Sequence, residues 1–208
     1  MDLEGYWYHV IARGNNRRKI FTDSVEREWY LRLLDETALL SGAIFSAYSL
    51  VPNHIHLLVY RGHRSLAGLM QRLQGDYARY FNRRHRRSGH LFERRYKAFL
   101  VTDESYLAAL VRYIHENLPC AGLEKENNDH LWSSHRFYLG KTDHAWRRWR
   151  PAPGFEGLRG IRAYRELMTD SSTAELPPEK PDAYGEDGAW KGINRRKEGR
   201  TRGMGIEC

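Results

Sequence analysis

The seventeen residues Ile44–Tyr60, IFSAYSLVPNHIHLLVY, hold two short runs rich in β-branched and aromatic types, Ile44 to Leu50 and Ile55 to Tyr60. They are separated by Val51-Pro52-Asn53, which predicts a hairpin or bulged connection between two strands. Side chains two apart on a strand share a face, so His54 and His56 present two imidazoles side by side while Ile55, Leu57 and Val59 face the other way. Such a pair can chelate one divalent cation. An isolated H-x-H is as readily two polar residues on a half-exposed strand, but here the apolar run argues for a central strand, where a buried imidazole without a partner is costly.

Outward from this pair, Tyr6 to Ala12 read as a strand running into the turn Arg13-Gly14-Asn15-Asn16. Asp23 precedes Glu26 by three residues in a capping-box arrangement, and Tyr30, Leu33, Leu34, Thr37 and Leu40 recur at helical spacing before Gly42. A second helix carries Leu66, Leu69, Met70, Leu73, Tyr77 and Phe81 on one stripe. Ala98 to Val101 form a fourth strand, and Thr102 or Asp103 caps a third helix with the stripe Leu107, Leu110, Val111 and Ile114. The order β-α-β-β-α-β-α predicts a ferredoxin-like α+β sandwich, an antiparallel sheet of four or five strands with helices packed on one face.

At 208 residues the chain suits one catalytic domain with an appendage. We expect a domain over 1–140, a helical or irregular extension over 141–170 that includes Trp146, Trp149 and Tyr164, and a basic, disordered tail over 171–208. The 34 Lys and Arg against 26 Asp and Glu, a net charge of +8, favour phosphate-rich partners over acidic small molecules. Cys120 and Cys208 are the only cysteines, which excludes a disulfide framework and a cysteine zinc site and fits a reducing compartment. No stretch has the length and apolarity of a signal or a membrane span, so a cytoplasmic location without a membrane partner is expected.

Further ligands are available from the third helix, where Tyr113 and Asn117 lie four residues apart, displaced from the apolar stripe, so that a phenol and an amide oxygen project together from a helix edge. Between residues 79 and 97, Arg79, Arg83, Arg84, Arg86, Arg87, Arg94, Arg95 and Lys97 surround Tyr80, Phe81, Phe92 and Tyr96. Cations attract backbone phosphates and rings accept unstacked bases, a combination suited to single-stranded nucleic acid. Arg13, Asn15, Asn16, Arg17 and Arg18 form a smaller basic turn able to reach base edges.

The segments YHVIARGNNRRKIF, YSLVPNHIHLLV, YARYFNRRHRRSGHLFERRYKAFLV, YLAALVRYIHEN and WSSHRFYLG, in this order, resemble the REP-associated tyrosine transposases, a branch of the single-tyrosine HUH superfamily. The resemblance implies the HUH version of the ferredoxin-like fold, action on single-stranded DNA bearing hairpins, Mg²⁺ or Mn²⁺ as cofactor, and a monomer acting in cis. Carried to this chain, it makes His54 and His56 metal ligands, Asn117 a third ligand and Tyr113 a nucleophile that forms a 5′-phosphotyrosine. The family's Asn-Pro-Val is here Asn117-Leu118-Pro119-Cys120, so the proline is displaced by one position and the end of the helix becomes the local feature to decide. Two other readings use the same residues: a non-catalytic nucleic-acid-binding regulator, which needs neither the imidazole pair nor the tyrosine, and a hydrolytic metallonuclease, in which water attacks.

Overall fold

In the computed structural model, which describes residues 2–103, 106–120, 132–141 and 149–169, the hairpin supplies one edge strand and one inner strand of the sheet. Ile44–Val51 (β2) and His54–Tyr60 (β3) pair antiparallel across Pro52-Asn53. Trp7–Arg13 (β1) and Lys97–Val101 (β4) complete a four-stranded antiparallel sheet in the order β2-β3-β1-β4. The long β-α-β connections allow β1 to sit beside β3. Its apolar residues fill the middle of the sheet, with Ile11 opposite His56 and Arg13 opposite His54.

One face of the sheet carries Tyr8, Val10, Leu50, Ile55, Leu57 and Val59, which pack against Ser24–Ser41 (α1) and Leu66–Arg84 (α2). The α2 stripe Leu66, Leu69, Met70, Leu73, Tyr77 and Phe81 is buried in full. In α1 the buried positions include Tyr30, Leu33, Leu34 and Thr37, whereas Leu40 is exposed and Ala38 and Ser41 turn inward instead. Asp23 caps α1 by accepting the Glu26 N–H at 3.0 Å, but the Glu26 carboxylate accepts from Thr22 N at 2.6 Å and Thr22 Oγ1 at 2.9 Å. Gly42, in the left-handed region at φ 70, ends the helix.

The expectation of helices on one face holds for α1 and α2 but not for the third helix. Leu107–Cys120 (α3) lies on the opposite face, where Leu107, Leu110, Val111 and Ile114 bury Trp7, Ala47, Leu58 and Val101. The physical reason is the sheet's own pattern: successive strand residues point to opposite sides, and the second side of β1 and β3 also carries apolar residues, Trp7 and Leu58, that need cover. His135–Tyr138 (α4) and Gly157–Thr169 (α5) extend this second layer, with Tyr138 and Tyr164 buried beside α3. Trp149 packs near them, while Trp146 and the expected tail over 171–208 lie outside the described residues. Residues 132–134 run along β2: Leu50 N donates to Trp132 O at 2.8 Å and Ser134 N to Tyr48 O at 3.1 Å, which covers a sheet edge.

The turn after β1 is fixed by the hairpin. Gly14 N donates to Asn53 O at 2.8 Å, and Ile20 and Phe21 N–H groups both donate to Pro52 O. A Cβ on Gly14 would stand 2.2 Å from the Arg18 carbonyl oxygen, so only glycine fits this close approach. Asn16 and Arg17 follow at φ 53 and 55, left-handed conformations that cost a non-glycine residue on the order of 1 kcal/mol.

Candidate active site

His54 opens β3 and His56 follows two residues on, so both imidazoles face α3, as the strand period predicts. From β1, alternation and register add three neighbours on this side: Arg13 opposite His54, Ile11 opposite His56, and His9 diagonal to His56. His9 and His56 are 2 % and 0 % exposed, and their rings make a hydrogen bond of 3.0 Å between His9 Nε2 and His56 Nδ1.

Because α3 covers the imidazole-bearing face, Tyr113 is not at an open helix edge as the helical angles suggest. It is buried, with its ring centroid 5.5 Å from that of His56 and 5.8 Å from that of His9, both at steep interplanar angles. One turn later, Asn117 donates from Nδ2 to the Tyr113 carbonyl at 2.7 Å and shares a side-chain hydrogen bond with His54. His54 Nδ1 also lies 2.7 Å from Asn53 Oδ1. The displaced proline does not end the helix early: α3 continues to Cys120, so Pro119 falls in the last turn, where its missing N–H removes one bond and leaves Asn117 helical. His54, His56, Tyr113 and Asn117 therefore converge.

Burial sets the electrostatics. It lowers the His9 pKa to about 3. Burial, the Arg13 charge and, in the opposite sense, the bond to Asn117 bring His54 to about 4. His56 falls well below its ordinary value through burial, with added repulsion from His54, His9 and Arg13. All three imidazoles are neutral near pH 7 and offer lone pairs, as a metal site requires. His56 Nε2 is buried without a hydrogen-bond partner among the described residues, although its Nδ1 is held by His9. A ring nitrogen held in this way, with the other bare and turned inward, fits a cation ligand. Among the described residues no group of three or more His, Cys, Asp and Glu is arranged to hold a metal ion. The donors that lie together here are the two imidazoles and the Asn117 amide.

The basic residues separate into groups. Arg13, Arg17, Arg94, Arg95 and Lys97, with Ile11 and Glu93, line a cleft of about 320 Å³. Ile11, Arg13 and Lys97 stand on the same side of the sheet as the imidazoles, so this cleft adjoins them. Asn15 N donates to Leu91 O and Glu93 N to Arg13 O, which tie the two basic segments together. Asn16 and Arg18 are exposed in the same turn, and Arg83, Arg86 and Arg87 are exposed around the end of α2. Arg84 pairs with Asp23 at 2.5 Å. Arg79 is set apart: it pairs with Asp76 and lines a groove between α1 and α2. The rings expected to receive bases are mostly occupied, since Phe81 is buried, Phe92 packs near Tyr77 and Tyr80 stacks on Trp29 at 4.8 Å.

Sequence reasoning missed His9. The signal was present in the alternation Trp7, His9, Ile11 along β1, but it acquires meaning only from the antiparallel register that sets His9 beside His56.

No curated protein is significantly similar to the chain. Among solved structures, one described as "Structure of the REP associates tyrosine transposase bound to a REP hairpin" superposes with a TM-score of 0.57 at 13% identity, covering 70% of this chain and 93% of that one. This likeness establishes the fold. A putative transposase from Deinococcus radiodurans is similar at a TM-score of 0.40 and 21% identity, over 56% of this chain and 91% of that one. The family profile described as "Transposase IS200 like" matches residues 2–117, more than half of the sequence and all of the convergent residues, so the chain belongs to the IS200-like transposase family.

Proposed function

We propose that the chain is a single-strand DNA endonuclease and strand transferase of the REP-associated kind, which cuts beside hairpins of repeated extragenic elements and holds the cut end on Tyr113. The observation that carries this reading is the packing of the Tyr113 ring against His56 while Asn117, on the next turn of the same helix, bonds His54. Neither a pure binding domain nor a packing tyrosine needs that convergence. The bound hairpin in the structural neighbour supports DNA of this shape as substrate, and the cationic cleft beside the imidazoles supports binding of the strand that flanks it.

His54, His56 and Asn117 would hold the divalent cation, Mg²⁺ or Mn²⁺. When bound, the cation polarises the scissile phosphate and offsets the charge that develops on it. The chain's own residues do the rest. Packed against the sheet, α3 holds the Tyr113 ring beside the imidazoles of His9 and His56, which positions the nucleophile in advance. The phenol oxygen forms a bond to phosphorus, the bond to the 3′ oxygen breaks, and the phenolic proton ends on the departing 3′-hydroxyl. The 5′-phosphotyrosine keeps the energy of the phosphodiester, so a 3′-hydroxyl can reverse the attack and join strands without a nucleotide cofactor. The Tyr113 ring packs against His56 of its own chain, which supports action in cis. The cations of the cleft, Arg13, Arg17, Arg94, Arg95 and Lys97, bind the backbone, with Asn15, Asn16 and Arg18 at the neighbouring turn and Arg83, Arg86 and Arg87 reaching DNA further along.

The test is incubation with hairpin-bearing single-stranded DNA and Mg²⁺ or Mn²⁺, followed by denaturing electrophoresis. The wild type is expected to give a protein–DNA adduct and Tyr113→Phe none. Cleavage without an adduct would favour water as the nucleophile, and tight binding without cleavage would favour a regulator. Replacing both His54 and His56 with Ala is expected to abolish cleavage and spare most of the binding, because the phosphate contacts come from the arginines.

A further inference from the structure

We propose that His9 is a positioning residue: it accepts the Nδ1 proton of His56 and thereby keeps His56 Nε2 bare and aimed at the cation. The inference rests on the metal-site reading above. The His9 Nε2 to His56 Nδ1 distance of 3.0 Å allows one proton to be shared, and either ring can donate it. If His9 donates, His56 carries its own proton on Nε2, the atom that must ligate. If His56 donates, Nε2 is a free lone pair. Each ring by itself favours the proton on the nitrogen remote from the backbone, Nε2, so His9 gives up that preference when it accepts from His56; without an acceptor at His9, His56 would hold its proton in the blocking position. Which nitrogen is metallated is set by the hydrogen bond that the other nitrogen makes.

In this arrangement His9 carries its own proton on Nδ1, an atom buried without a hydrogen-bond partner among the described residues. His9 is fully enclosed, with its ring nearly parallel to that of His56 at an interplanar angle of 19°. Phe99 and Tyr113 close its other sides, at centroid distances of 6.0 and 5.8 Å. With Nε2 engaged by His56, His9 is a second layer behind the donor set and not a further ligand. Its place on β1 holds the His56 ring from the neighbouring strand.

Two measurements test this. The first reads the tautomer in the metal-free protein at pH 7.5 by long-range ¹H–¹⁵N correlation on ¹⁵N-histidine-labelled full-length chain. We expect His56 protonated on Nδ1 in the wild type and on Nε2 in His9→Phe. The second reads Mn²⁺ affinity by electron paramagnetic resonance. His9→Phe is expected to weaken binding about 10-fold or more, and His9→Gln, whose amide oxygen can accept the same proton, to restore most of it. A wild-type His56 carrying its proton on Nε2 would overturn the proposal, as would His9→Phe binding Mn²⁺ as tightly as wild type. A glutamine variant as weak as the phenylalanine one would point to packing and overturn it too. Mn²⁺ binding that is indifferent to His54→Ala would instead sink the metal site itself, and this inference with it.

Discussion

Three neutral imidazoles enclosed between a sheet and a helix make stability depend on pH with a definite sign. His9 is lowered to about 3 and His56 well below its ordinary 6.5, in both cases first by burial. The unfolded chain therefore takes up protons that the folded chain refuses. Stability is complete above the unfolded value of 6.5 and is lost as pH falls below it. In chelator, urea unfolding at pH 5.0 against pH 7.5 should show a loss on the order of 2 kcal/mol from His9, with a further loss of the same sign from His56. His9→Phe should remove one share of that slope, and an unchanged slope would contradict the burial. At Gly14, alanine would bring its Cβ to 2.2 Å from the Arg18 carbonyl oxygen, so Gly14→Ala should cost about 1–3 kcal/mol in urea unfolding and weaken DNA binding by moving Arg17. At this scale the H-x-H pair and the basic turn were legible in the sequence. His9 was not, because its meaning comes from a strand pairing 47 residues distant.

The elements show a similar division. The α2 stripe could be read in full from its spacing, and the apolar residues of α3 are those the period picks out. Periodicity identifies a stripe but not which face of the sheet it covers, so the side taken by α3, and with it the burial of Tyr113, could not be read. The extension adds a contact whose partners the sequence does not name, although Tyr164 stands out in it. Tyr164 of α5 places its hydroxyl 2.6 Å from His115 Nδ1 and 2.5 Å from His135 Nδ1, while His115 Nε2 lies 2.7 Å from Ser134 Oγ. This buried chain joins α5 and α4 to the helix that bears Tyr113. Tyr164→Phe removes a shared partner from two imidazoles and should lower stability by about 1–3 kcal/mol in thermal or urea unfolding. Binding of hairpin DNA should be retained, since the cleft lies elsewhere. A fully stable variant would contradict the bridging role.

For the molecule as a whole, the net charge of +8 is less informative than its distribution. Arg84 and Arg79 are paired with acids, whereas five cations gather with a single acid in the cleft beside the imidazoles. Affinity for single-stranded DNA should therefore fall with salt. Arg94→Ala with Arg95→Ala should flatten the slope of log affinity against log salt by about 1.4, from roughly 0.7 per phosphate contact. An unchanged slope would place the strand elsewhere. The ordered basic and aromatic segments point to a nucleic-acid enzyme from the sequence alone, but several of their rings fill the core instead of facing a base. The central claim is that Tyr113 takes the cut strand onto itself. The most direct test is mass spectrometry of the proteolysed adduct formed with hairpin DNA and Mn²⁺. The account predicts a nucleotide joined through its 5′-phosphate to the peptide that contains Tyr113. A nucleotide on any other residue, or a cleaved strand with no peptide attached, would contradict it.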